Sequence, residues 1–175
     1  MRKAGLAILL IFIGLSGWSQ GEQSFVIGES QINFGLGFSN RGIPIYGNYE
    51  VAVSPEITVG GQLSMSFYTD HNGGYKYNNS AFTLVGFGNY HFNEILEIPA
   101  IWDVYAGLNL GYSFINTNSN IPDDEQDHYN YPNSGLYLGI QIGGRYYWND
   151  QWALNFELGG GSAFGGKVCV TYRLD

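Results

Sequence analysis

Apolar side chains recur at every second position through GLYLGIQIGGRYYW, residues 135–148, where Leu136, Leu138, Ile140, Ile142, Tyr146 and Trp148 share one parity. A period of two sends alternate side chains to opposite faces of a strand, so Arg145 lies on the other face with Tyr137, Gly139, Gln141 and Gly143. The same alternation runs through 31–39, 45–53, 57–68, 81–92, 102–114, 152–164 and 167–174, which with 135–148 predicts eight strands. No 3.6-residue periodicity is sustained anywhere, and beyond the first residues no apolar run is long enough for a spanning helix. The connections alternate too. SPE at 54–56, the link at 93–101 and NDQ at 149–151 are short or moderate, whereas 41–44, 69–80 and 115–134 are rich in Asn, Gly, Asp and Pro and read as loops. The final hairpin at 164–167 is short on the long-loop side. Short and long ends on opposite sides predict an all-β, up-and-down antiparallel arrangement.

Which face is outside follows from the chemistry of each. The polar face carries Asn33, Gly35, Asn48, Gln62, Ser64, Asn89, Asn109, Gly139 and Gln141, small and uncharged, as a crowded barrel interior requires. A water-facing wall would carry Lys, Glu, Asp and Thr. No charge interrupts the apolar face, the condition for lipid contact, where a midplane Lys or Arg costs about 2–4 kcal/mol. The apolar-face aromatics gather at two ends: Tyr90, Phe92, Trp102, Tyr146, Trp148 and Trp152 near the short turns, and Phe38, Phe67, Phe82, Tyr112, Phe114 and Phe164 near the long loops. They are expected to mark the two membrane interfaces. At about 3.3 Å per residue and a tilt of about 40°, Trp102 and Phe114 stand roughly 30 Å apart along the axis, close to the apolar band of roughly 25 Å in such barrels. The reading is a closed eight-stranded antiparallel transmembrane β-barrel with lipid outside and a packed polar lumen.

Composition sharpens this. Charged residues make up only 13% of the chain, aromatics 17%, and glycines number 26, a poor composition for a water-facing surface. Arg2 and Lys3 precede an apolar run of about a dozen residues, the length of a signal-peptide core. Cleavage is expected after Ser19 or Gln20, giving a signal peptide over 1–19, export through the Sec pathway and one domain over 20–175. No cysteine lies there for a lipid anchor. Losing Arg2 and Lys3 leaves 5 Lys and Arg against 15 Asp and Glu, a mature charge of −10, which disfavours nucleic acid as a partner. Cys169 stands alone, so no internal disulfide forms, and it reads as a small lumen filler. Its spacing from His71, His91 and His128 matches no zinc motif, and neither metal nor cofactor is implied.

The eight alternating strands, the Tyr90-His91-Phe92 strand end and the closing VTYRL resemble the small bacterial outer-membrane β-barrels, similar to the transmembrane domain of OmpA and to OmpX. The resemblance covers essentially the whole mature chain. It implies a monomer in the outer membrane of a Gram-negative cell envelope, with Tyr172 an assembly-signal aromatic, although the chain ends Arg173-Leu174-Asp175 without the family's terminal Phe. It carries over no active site.

With parity set, Glu50, His91, Asp103, Arg145, Glu157, Lys167 and Arg173 face the lumen as a near-balanced charge network. Pairing the sixth and seventh strands across NDQ puts Trp148 opposite Trp152 and Arg145 opposite Asn155, with Glu157 on the next inward rung as the expected partner of Arg145. An eight-stranded barrel is only wide enough for its own side chains, so the network reads as filling rather than as a charge filter. No nucleophile motif such as G-x-S-x-G occurs in the mature chain, and the rim histidines His71 and His128 read as solvated, so no catalytic role is assigned. The acidic run Asp123, Asp124, Glu125 and Asp127 lacks the alternation and central Gly of an EF-hand loop and reads as solvated. The expected function is structural or surface-interactive, with outer-membrane lipids around the wall and an extracellular ligand or surface meeting the loops, Tyr129 and Tyr131 of 115–134 above all. A narrow porin-like channel for ions or small solutes is the alternative, and an outer-membrane hydrolase a third reading.

Overall fold

A computed structural model describes residues 25–72, 75–119 and 133–174. The expected signal peptide and the acidic run therefore lie outside the described residues. The chain forms eight strands: β1 (Ser30–Ser39), β2 (Ile45–Ser54), β3 (Ile57–Asn72), β4 (Tyr75–His91), β5 (Trp102–Ser119), β6 (Gly135–Tyr147), β7 (Trp152–Gly161) and β8 (Gly165–Leu174). Each pairs antiparallel with the next, and β1 pairs with β8 from Ser30↔Leu174 to Ser39↔Gly165, so the sheet closes into a barrel. Closure leaves no exposed sheet edge in the wall, and only closed barrels and helices satisfy the whole backbone inside lipid.

The barrel is inside-out relative to a water-soluble protein. Phe34, Leu108 and Ile140 are 68%, 69% and 64% exposed on the wall, while Gln31, Thr58, Arg145 and Thr171 are at most 1% exposed in the lumen. This is the partition that alternation requires once lipid replaces water outside. Inward glycines act as seats for interior rings. A Cβ at Gly143 would stand 2.3 Å from Tyr105 Cζ, and one at Gly60 2.5 Å from Phe87 Cζ. At the short-turn end Asn93 continues the ladder with its side chain, donating from Nδ2 to the Trp102 carbonyl (2.5 Å) and accepting from the Val104 amide (3.1 Å).

One boundary differs from the sequence reading. Residues 69–80 read as a loop, yet Thr69↔Asn78, Asp70↔Tyr77, His71↔Lys76 and Asn72↔Tyr75 continue the β3–β4 ladder, and β5 runs on beside it to Tyr77↔Ser119. Ladder bonds join backbone groups and need no apolar side chain. Tyr77 and Asn79 are still buried while Lys76 and Asn78 are exposed, so the period of two persists among polar residues. Beyond the β2 partner of Met65 and the β6 partner of Ser113, the three strands pair only with one another, with Gly42 against Phe67 and Tyr68 and Ser134 hydrogen-bonded to Ile115.

Candidate functional site

Five strands each contribute one lumen side chain to a closed hydrogen-bonded ring. Thr58 Oγ1 of β3 donates to Glu50 Oε2 of β2 (2.9 Å) and meets His91 Nε2 of β4 (3.0 Å). His91 Nδ1 meets Asp103 Oδ1 of β5 (2.6 Å). Arg145 of β6 donates through Nη1 to Asp103 Oδ2 (2.8 Å) and through Nη2 to Glu50 Oε1, which closes the ring. The five residues are 0–2% exposed. Amides supply the remaining donors to Glu50: Gln31 at 2.8 Å, Asn33 at 3.0 Å and Asn89 at 3.4 Å. A buried carboxylate is tolerable only when paired and fully hydrogen-bonded, and Glu50 meets both conditions.

Thr58 Oγ1 thus bridges Glu50 and His91, Asp103 bridges His91 and Arg145, and each side chain of the ring holds its neighbours in place.

Other lumen charges lie to either side. Tyr105 lies under the Arg145 guanidinium, 4.5 Å from its carbon to the ring centroid, and its hydroxyl lies within hydrogen-bond distance of both Glu157 Oε2 (2.9 Å) and Asn155 Oδ1 (3.0 Å). Glu157 pairs with Lys167, whose Nζ also donates to Gln62 Oε1 (2.6 Å). Arg173 pairs with Glu29 at the short-turn mouth and lies over the rings of Tyr147 and Phe25. Phe25, 2% exposed, packs edge-on against His91 (centroids 4.6 Å apart) and closes that mouth.

The expected Arg145–Glu157 pair does not form. Arg145 is opposite Asn155 as read from the NDQ turn, but its guanidinium reaches across to Glu50 and to Asp103, its direct neighbour on β5, and Tyr105 takes the place beside Glu157. Glu29 escaped the sequence reading because it precedes β1 and belongs to no alternating run.

The twelve aromatics expected at the interfaces all sit on the outer face, in two groups. Trp102–Tyr146 (4.7 Å) and Tyr90–Phe92 (5.1 Å) pair near the short turns, where Trp148 is 51% exposed and Trp152 packs at a tilt against Tyr172. Phe82–Phe114 (6.3 Å) and Tyr112–Phe114 (4.9 Å) pair towards the other end, where Phe38, Phe67 and Phe164 are exposed. Cys169 fills lumen space, 2% exposed, its Sγ 3.3 Å from the Tyr46 hydroxyl.

Thr58, His91 and Asp103 form a hydroxyl–imidazole–carboxylate chain, the arrangement that activates nucleophiles elsewhere. Here Thr58 is 0% exposed, inside a ring of side chains 0–2% exposed, so the chain offers no accessible nucleophile to a substrate. No cluster of three His, Cys, Asp or Glu side chains among the described residues is placed to hold a metal.

No family model and no curated protein matches the chain. Solved structures do. OprG of Pseudomonas aeruginosa superposes with a TM-score of 0.57 at 12% identity, over 89% of this chain and 98% of OprG. Ail, the attachment invasion locus protein of Yersinia pestis, gives 0.54 at 13% identity, over 85% of this chain and all of Ail. A de novo designed transmembrane β-barrel gives 0.52 at 14% identity, over 86% and 98%. The agreement with a designed barrel, which shares no ancestry with the chain, makes this a likeness of fold.

Proposed function

We propose that this outer-membrane β-barrel is a non-enzymatic, non-conducting surface protein, anchored in lipid by its apolar wall and aromatic girdles and meeting its partner through the loops. One observation carries the reading: the lumen is crossed by a ring of side chains 0–2% exposed, drawn from five of the eight strands. Passage of an ion would require breaking paired charges in a low-dielectric interior, a cost of several kcal/mol per uncompensated ion. The ring therefore acts as a cross-brace. In planar bilayers the reconstituted protein is expected to give no stable conductance steps. Steady ohmic steps scaling with salt would favour the narrow-channel reading instead.

The interaction surface on this reading is the β3–β4–β5 ladder that runs on past the ends of β2 and β6, together with the acidic segment between β5 and β6, extracellular if the short turns are periplasmic. Ail has been solved with the heparin analogue sucrose octasulfate. The run Asp123, Asp124, Glu125 and Asp127 disfavours such a polyanion here and suits a neutral or cationic surface, with Tyr129 and Tyr131 offering contact area at small entropic cost.

A further inference from the structure

Between the ring and the loop end, the lumen opens into a cavity of about 110 Å³ that is lined by Arg41, Ser64, Ser66, Tyr137, Glu157 and Lys167 among others. Its far end is blocked by the Glu157–Lys167 pair and by Tyr105 below it. The space is thus a cul-de-sac, shaped to hold a solute rather than pass one.

The lining has donors to spare. The guanidinium of Arg41 forms no ion pair with a described residue, and the hydroxyls of Ser64, Ser66 and Tyr137 make no hydrogen bond to one. Ser66 is 6% exposed, so its hydroxyl has little bulk water to turn to. Lys167 and Glu157 cancel, which leaves a net charge of +1 from Arg41. That balance favours a monoanion, because a dianion would leave uncompensated negative charge beside Glu157 in a low-dielectric pocket. A guanidinium binds a planar two-oxygen acceptor through paired hydrogen bonds, which selects a carboxylate over a spherical halide. Size sets the upper bound. A cavity of about 150 Å³ accepts benzene, so one of this volume takes roughly four to six non-hydrogen atoms.

We infer that the vestibule is a binding site for a small monocarboxylate of two or three carbons, held by Arg41 at the mouth and by the Ser64, Ser66 and Tyr137 hydroxyls. The inference is independent of the surface role: a partner at the loops neither requires this site nor supplies it.

The test is nitrogen-15 NMR of the refolded barrel in neutral micelles, titrated with sodium acetate against sodium chloride at constant ionic strength and pH, with acetamide as the uncharged isostere. Acetate is expected to shift the Ser64, Ser66 and Tyr137 amides saturably. Binding is weak, on the order of millimolar, as four heavy atoms allow. Arg41→Gln is expected to weaken it at least tenfold and Tyr137→Phe several-fold, with the remaining resonances unmoved. Arg41 lies outside every strand, so its replacement leaves the barrel intact. No saturable shift beyond chloride, equal binding of acetamide, shifts confined to residues outside the vestibule, or unchanged affinity in Arg41→Gln would each overturn the site.

Discussion

Replacing Arg145 with glutamine is expected to destabilise the folded barrel by about 3–5 kcal/mol, the cost of stranding charges that had a buried partner. Arg145 is 1% exposed and donates to two carboxylates, so its loss leaves Glu50 and Asp103 without the guanidinium they share. Glu50→Gln should also be costly, since it takes from Arg145 one of its two buried carboxylates. The double variant keeps the His91–Asp103 pair and removes one charge of each sign. It should therefore lose much less than the sum of the singles, with a coupling of about 0.5–3 kcal/mol. Reversible urea unfolding of the protein in phospholipid vesicles measures all four states. The Arg145–Glu157 cycle is the comparison: these two touch only through Tyr105, so their coupling should be weaker than that of Arg145 and Glu50, which are in direct contact. Strong coupling there with additivity at Arg145–Glu50 would invert the assignment of partners.

A charge placed on the wall should be as damaging as one removed from the lumen, but with a dependence on depth that only a bilayer produces. Leu108 is 69% exposed and stands halfway along β5 between Trp102 and Phe114. Leu108→Arg is expected to cost about 2–4 kcal/mol in vesicles, whereas Phe114→Arg, at the end of the apolar band, should cost about 0–1 kcal/mol. In water neither substitution would cost much, because both side chains are already exposed. Equal effects at the two depths would mean that the wall does not lie across a membrane as the girdles place it.

The conformations that came straight from the sequence are those set by local geometry. Alternation assigns Arg145, His91, Asp103 and Glu157 to one face and the leucines and isoleucines around them to the other, because successive Cβ atoms of a strand point to opposite sides whatever the strand pairs with. The Arg145↔Asn155 pairing was legible for a related reason: a tight turn such as NDQ fixes the register of the strands it joins. The partner of Arg145 was not legible. Its neighbour Asp103 lies across the β5–β6 pair, whose register a connection of some fifteen residues leaves open, and Glu50 is 95 positions away on the far side of the lumen. The β3–β4 ladder beyond residue 68 was hidden because polar residues on both faces erase the contrast that reveals a strand, while the backbone bonds that form it have no sequence signature. Parity is a property of the chain; who meets whom in the lumen depends on closure and register, and only the closed barrel decides those.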